Sequence, residues 1–458
     1  MASSTRQLRL ALLRRIVLAT AAISSLFSLG VATAVDYSAS GDYYGGRELV
    51  TVPRPDGSTF DAWVFYPATK NGLDAPVNTE GGNYPIVAWG HPFVLGPMFN
   101  NSTLRHLATW GYVTIAPTTE GGFLPNHAAL AADMRYGIDY LQSLNSNSAS
   151  PFFGRLNTQA VGASGFSMGG GASLLATAAD SRIKAVANLS AAETFPTSAI
   201  DAMSNIHVPV RLVAGTADQT TPIPVHQQPM YDNANSPAQL RAIVGGNHLY
   251  NQDYPIPAPY TSAQLDQLAL TRSELTSFFE LYLKGDQSAW RNVWGPEAVN
   301  DPAFQSQLNP GIEVQELTSS ASLRPDLTVH HLVVTNTGSS ADTFDLLVEG
   351  NQIESILSVT KTSLLAPGES FAFDLTVDGI GAGLLDDTAI VSARSQRDGG
   401  TRGYALVTTS LGPATLATVN AFSVPEPSTW LLGAIGAALL VLMPAARAKL
   451  RPASQSAG

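Results

Sequence analysis

Val161-Gly162-Ala163-Ser164-Gly165-Phe166-Ser167-Met168-Gly169-Gly170-Gly171 is an apolar run that ends in a small-x-Ser-x-small pentapeptide and continues into the apolar stretch Ala172 to Ala178. Such a run reads as a strand, a sharp turn and a helix. A serine at a sharp turn has strained backbone, so the residues two places either side must lack bulk, and Gly165 and Gly169 meet that need. The turn raises the hydroxyl of Ser167 above the sheet edge. The helix that starts near Met168 aims N–H groups and a positive dipole end at an arriving oxyanion.

A serine hydroxyl is a weak nucleophile without a base, and the base needs a third group to hold its tautomer. This elbow resembles that of the α/β-hydrolases, and the resemblance implies that the acid and then the histidine come later in the chain, each on a loop after a strand. Val210 to Ala214 is strand-like and leads into Gly215-Thr216-Ala217-Asp218, so Asp218 falls just past its carboxyl end. Leu240 to Val244 leads into Gly245-Gly246-Asn247-His248, which puts His248 in the following loop. Of the other histidines, His207 precedes a strand, His226 shares the loop of the acid, and His330 and His331 lie in a different region. His91, His106 and His127 precede the serine. Asp232 and Asp253 are the alternative acids, and Asp218 is preferred because its strand is better defined.

A second oxyanion donor is expected from the loop after Ile86 to Trp89, here Gly90-His91-Pro92-Phe93-Val94. Proline has no N–H, so the backbone of Phe93 is the candidate, with Met168 as the other donor. The Phe93 ring would also border the acyl pocket. His91 is expected to be structural. The chemistry needs no metal and no cofactor.

Working outward, the chain has 458 residues, 45% hydrophobic and 13% charged, with no cysteine and a net charge of −11. Disulfides and thiolate metal sites are excluded. An acidic chain also lacks the clustered Lys and Arg that nucleic-acid binding requires. At about 150 residues per domain the length suits two domains, or one large one with appendages. From about residue 47 to 285, short apolar runs such as Trp63-Val64-Phe65-Tyr66 and Tyr112-Val113-Thr114-Ile115 alternate with helical patterns at Ala128 to Leu144 and Leu265 to Leu283. Strands interleaved with helices imply parallel crossovers and a buried central sheet. Residues 291–310 lose this periodicity and carry Gly295-Pro296, Asp301-Pro302 and Asn309-Pro310, which reads as a linker. Residues 311–422 show period-2 runs, for example Phe371 to Val377, separated by Gly-containing turns, the pattern of an all-β sandwich.

The two ends read as addresses. Arg6, Arg9, Arg14 and Arg15, the apolar Ile16 to Val31 and the small-x-small Ala32-Thr33-Ala34 predict a signal peptide over 1–34. Pro425-Glu426-Pro427, the apolar Trp430 to Met443 and the basic Arg447, Lys449 and Arg451 resemble the PEP-CTERM sorting signal of Gram-negative bacteria over 423–451. That resemblance implies a transmembrane helix, an exosortase-type processing enzyme as a partner, and delivery to the cell envelope or extracellular matrix. Without these segments 18 basic and 35 acidic residues remain, a charge of −17, which favours solubility and repels anionic polymers.

Between them, over 35–290, Gly165-Phe166-Ser167-Met168-Gly169-Gly170-Gly171, Asp218 before Thr221-Pro222, Gly245-Gly246-Asn247-His248 and Phe278 to Gly285 resemble the α/β-hydrolase superfamily. The branch is that of dienelactone-hydrolase-like secreted esterases, with cutinases and poly(ethylene terephthalate) hydrolases. The resemblance implies an α/β-hydrolase fold, a mostly parallel sheet flanked by helices, followed here by a smaller all-β immunoglobulin-like sandwich. It also implies a serine carboxylesterase with Ser167, Asp218 and His248 as the triad and Phe93 and Met168 at the oxyanion. Polyester hydrolases of this kind carry a tryptophan after the strand that follows the elbow. Asn188-Leu189-Ser190-Ala191-Ala192-Glu193 has an alanine or a glutamate instead, and Ala192 is the residue expected there against substrate. Short-chain or aromatic esters are therefore the first expectation and polyesters the second. A serine peptidase of the same fold and an inert matrix-attached binding protein are the alternatives. Oligomeric state is not encoded in any of these signals.

Overall fold

The computed structural model describes residues 35–253, 260–321, 327–379 and 386–410. The expected signal peptide, the C-terminal sorting segment and residues 411–422 of the expected sandwich lie outside them. Among the described residues no helix is long and apolar enough to cross a membrane.

The larger part of the chain folds around a ten-stranded sheet. Its strands are β1 (Tyr44–Pro53), β2 (Thr59–Ala68), β3 (Gly72–Leu73), β4 (Tyr84–Gly90), β5 (Val113–Pro117), β6 (Leu156–Gly165), β7 (Ile183–Leu189), β8 (Val210–Gly215), β9 (Ala238–Ile243) and β10 (Phe304–Asn309). They lie in the order β10-β9-β8-β7-β6-β4-β5-β2-β1-β3. The strands from β5 to β9 pair in parallel, and β1, β2 and β10 bring the antiparallel pairs. All seven residues of β4 are buried, as expected of a parallel strand covered on both faces. Ile86 and Ala88 point into one apolar core, Val87 and Trp89 into the other.

Four long helices cover the two faces: α1 (Asn101–Thr109), α2 (His127–Ser146), α3 (Met168–Ala179) and α4 (Ser262–Phe279). Leu130, Met134, Ile138 and Leu141 of α2 and Leu174 of α3 fill one core; Leu104 and Leu107 of α1 with Leu275, Phe278 and Phe279 of α4 fill the other. α2 begins where Pro125-Asn126 signals a start, with the Asn126 side chain accepting the N–H of Ala129. α4 runs on into a π-helical turn, Glu280–Lys284.

The stretch 291–310, expected as a linker, is instead ordered. Short helices at Trp290–Val293 and Pro296–Val299 lead into β10, which pairs with β9 as an edge of the large sheet. The reason lies across the sheet. The Arg241 guanidinium stacks 4.0 Å from the Phe304 ring centroid and donates to Ala298 O and Ser306 Oγ. The Gly-Pro and Asp-Pro signals mark the turns between these elements, and Asn309-Pro310 marks the end of β10.

Beyond it, β11 (Ile312–Ala321), β12 (Leu327–Asn336), β13 (Phe344–Glu349), β14 (Glu354–Leu357), β15 (Ser370–Asp378), β16 (Asp386–Ser395) and β17 (Arg402–Ser410) form two antiparallel sheets, β11-β12-β15-β14 and β13-β16-β17. They share a core that includes Leu332, Val334, Phe344, Phe373, Leu375 and Val391. This unit packs on the end of α4 and the turns after it. Tyr282 Oη meets Thr401 Oγ1 at 2.8 Å and accepts from Trp294 Nε1 at 2.6 Å, while the Trp290 and Tyr404 rings lie edge to face.

Candidate active site

β6 delivers Ser167 to the carboxyl edge of the large sheet, where α3 begins at the next residue. Ser167 has φ 57° and ψ −119°, a region that L residues rarely occupy. The glycines around it are required by contact. A Cβ on Gly169 would sit 2.0 Å from the carbonyl carbon of Gly90, and one on Gly165 would sit 2.3 Å from Gly169 O. The loop after β4 and the elbow thus touch backbone to backbone.

The structure brings together the three residues expected to cooperate. His248 Nε2 lies 3.0 Å from Ser167 Oγ, and His248 Nδ1 lies 2.7 Å from Asp218 Oδ2. All three are buried, and the Phe166 ring packs 4.8 Å, centroid to centroid, from the imidazole. Asp218 Oδ1 accepts the N–H groups of Thr220 and Thr221 at 2.8 Å each. Burial alone would raise the Asp218 carboxyl, but the hydrogen bond and charge of His248 and the Thr221 donors outweigh it and hold it down at about 2. The group is an anion facing Nδ1–H, which directs the lone pair of Nε2 at the serine.

The alternatives are occupied elsewhere. Asp253 binds the hydroxyl and N–H of Ser102, and Asp232 accepts from Gln228 Nε2 at 2.8 Å. His226 accepts the Glu193 N–H. His106, in α1, bonds Tyr37 O and Thr276 Oγ1. His91 is buried with its ring nitrogens 2.9 Å from Pro92 O and 2.6 Å from Thr119 O, tying the loop after β4 to the loop after β5.

Among the described residues no acceptor is paired with the backbone N–H of Phe93 or of Met168. The Phe93 side chain is partly exposed and meets the Phe123 ring edge to face at 6.5 Å. Ala192, partly exposed, donates its N–H to Ser167 O at 2.9 Å, so it adjoins the elbow.

Two features of the site lie outside what the sequence signals above predict. One is Thr221, whose Oγ1 lies 2.9 Å from Asp218 Oδ2 and 3.2 Å from His248 Nδ1. A hydroxyl three residues after an acid was the available signal, since Ser and Thr bond locally in turns. The other is a set of bare apolar side chains. Phe123, Leu124 and Phe195 are 80%, 97% and 80% exposed, and the backbone of Phe195 is hydrogen-bonded to His127, at the start of α2 just past Phe123-Leu124. Exposure at a loop tip leaves no periodic trace in a sequence.

Residues 99–254 match the PETase family, described as PET hydrolase-like. The matched segment holds Ser167, Asp218 and His248 but not Phe93, and it covers about a third of the chain. No curated protein matches. The PET hydrolase-like segment lies on a mostly parallel sheet flanked by helices, an α/β architecture, and the match implies an ester hydrolase. Among the described residues no cluster of three or more His, Asp or Glu side chains is arranged to hold a metal ion.

Proposed function

We propose that the chain is an exported serine carboxylesterase that hydrolyses apolar esters through an acyl-enzyme on Ser167. The observation that carries the reading is the alignment of Ser167 Oγ, His248 and Asp218 across 3.0 and 2.7 Å. Ser167 Oγ attacks the ester carbonyl while His248 Nε2 takes its proton. Asp218 stabilises the imidazolium, which then returns the proton to the leaving alcohol. Water, deprotonated by the same imidazole, hydrolyses the acyl-enzyme and frees the serine.

In this reading the N–H groups of Met168 and Phe93 hold the oxyanion, with the positive end of α3 behind them. General base and oxyanion contributions are each on the order of 10²- to 10³-fold. The exposed rings of Phe93, Phe123 and Phe195 and the Leu124 side chain favour substrates with an apolar or aromatic acyl part. Together with the PET hydrolase-like match over 99–254, they also favour aromatic polyesters as a second substrate class.

Export rests on the signal-like segment 1–34 and the PEP-CTERM-like segment 423–451, the latter processed by an exosortase-type enzyme. The sandwich then travels with the esterase as part of one exported molecule.

Labelling with a fluorophosphonate probe tests the site. The expected outcome is a single adduct on the peptide containing Ser167, formed in step with loss of esterase activity. An adduct on a different serine, or full activity after complete labelling, would refute the assignment.

A further inference from the structure

The acid and the base of the site stand on loops after different strands, Asp218 after β8 and His248 after β9, so something must set one against the other. Thr221 sits at the junction. Its Oγ1 is 2.9 Å from Asp218 Oδ2, 3.2 Å from His248 Nδ1 and 3.2 Å from the carbonyl oxygen of Ser190. With the two backbone N–H groups on Oδ1 and His248 on Oδ2, the hydroxyl completes a ring of donors around the carboxylate. A carboxylate held on Oδ1 by fixed backbone and on Oδ2 by the Thr221 hydroxyl is hindered from rotating away from its histidine.

The far side of Thr221 is tied as well. Ser190, held at φ 44°, bonds Val213 O through its N–H. Its hydroxyl oxygen accepts from Asn251 Nδ2 at 3.1 Å. Asn251 Oδ1 accepts from Gln267 Nε2 at 3.0 Å, and Gln267 clamps the backbone of Asn247, donating to its carbonyl and accepting from its N–H at 2.8 Å each. Asn247 is the residue before His248. The one Thr221 hydroxyl proton goes to the nearer acceptor, Asp218 Oδ2, which leaves Oγ1 in contact with the Ser190 carbonyl oxygen, and hydrogen bonds run on from Ser190 through Asn251 and Gln267 of α4 to the backbone that carries the base; the side chains of all four are buried. Buried polar groups joined in this way are costly to break and permit few alternative arrangements.

We propose that Thr221, seated on the Ser190–Asn251–Gln267 bridge, is a positioning residue that sets the Asp218 carboxylate against His248. The inference rests on the reading that Ser167, Asp218 and His248 carry out hydrolysis.

The test is steady-state hydrolysis of 4-nitrophenyl acetate by Thr221→Val, Thr221→Ser and Gln267→Met in the full chain. Loss of one hydrogen bond to a charged group is worth about ten- to a hundredfold. Thr221→Val is expected to lower kcat by about that factor with KM within about twofold, because the lost contact acts on proton transfer and not on substrate. Thr221→Ser is expected to recover most of kcat. Gln267→Met, at the far end of the circuit, is expected to lower kcat in the same sense, and it carries the test if Thr221→Val does not fold.

Native kcat in both Thr221→Val and Gln267→Met, or no recovery in Thr221→Ser, would overturn the inference. So would a fall confined to melting temperature, which a purely structural role would produce. If Ser167→Ala kept the native rate, the underlying reading would fail instead; an inactive Ser167→Ala beside a fully active Thr221→Val would remove only the positioning role.

Discussion

Ser167 carries backbone strain, since a non-glycine residue at φ 57° and ψ −119° is strained by about 1–3 kcal/mol. The surroundings enforce it: Ser167 N–H bonds Leu189 O and its carbonyl accepts from Gly171 and Ala192. Titration acts at the same scale. His106 is buried beside the Arg272 charge, and burial first, then that charge, lowers it from 6.5 to about 4. A base with a depressed folded value is neutral when folded and takes up its proton first when unfolded. Its stabilisation is thus complete above pH 6.5 and is lost as pH falls toward 4, by about 3 kcal/mol at most. Asp218, held at about 2, withdraws its share only below the unfolded value of 3.8. Melting temperature should therefore decline from pH 6.5 to 4, and His106→Gln should flatten that slope; an unchanged slope in the variant would contradict the assignment. Ser167, Asp218 and His248 could be read from the sequence because a turn, a strand end and a chain order each constrain them. Asn251 and Gln267 could not, since their partners are distant in sequence and no local pattern marks them, and Thr221 left only its hydroxyl three residues after Asp218 as a trace, nothing of its approach to His248.

At the scale of elements, the large sheet is fastened to α4 by charge as well as by apolar contact. Arg211 of β8 and Arg241 of β9 converge on Glu274 of α4 at 3.0 and 2.9 Å, and all three are buried. Burial lowers Arg211 to about 10. Burial also works against ionised Glu274, yet the two guanidinium groups hold its carboxyl below the ordinary value. Removing the carboxylate leaves two buried cations without their partner, a defect that costs about 3–5 kcal/mol. Glu274→Gln should lower the denaturation midpoint accordingly at neutral pH, whereas a midpoint within experimental error of the native one would show that the ion pairs are dispensable. The helices and parallel strands were readable because Leu130, Met134, Ile138 and Leu141 repeat at helical spacing and Ile86 to Trp89 form a continuous apolar run. β10 was not, since Pro-containing turns on both sides look like a linker and its anchor, Arg241 on Phe304, is a long-range stack.

For the molecule as a whole, the β-sheet unit and the hydrolase unit meet through a tight aromatic junction. A Cβ on Gly400 would lie 2.8 Å from Tyr282 Cε1 and 2.9 Å from Leu281 Cγ, so any larger residue must displace these side chains of the junction. Arg402 stacks on Trp290 at 4.7 Å and bonds Gln287, and Arg397 reaches His207 O, which precedes β8. These contacts fall on α4's carboxyl end and before β8, away from the strand ends that carry Ser167, Asp218 and His248. Units joined this closely should unfold together. Native protein is expected to melt in one calorimetric transition, and Gly400→Val in two, with esterase activity retained before the second. A single unshifted transition in the variant would show that the junction contributes nothing. The sequence announced two units through its change of period near residue 310 but not their junction, because Tyr282, Trp290, Thr401 and Tyr404 become neighbours only on folding.

The central claim is that one serine performs the chemistry, and the rate of 4-nitrophenyl acetate hydrolysis by Ser167→Ala, set against the native chain, tests it most directly. Ser167→Ala is expected to lower kcat by about 10⁴-fold or more with the fold intact by circular dichroism. Hydrolysis at the native rate by a folded Ser167→Ala would contradict the claim.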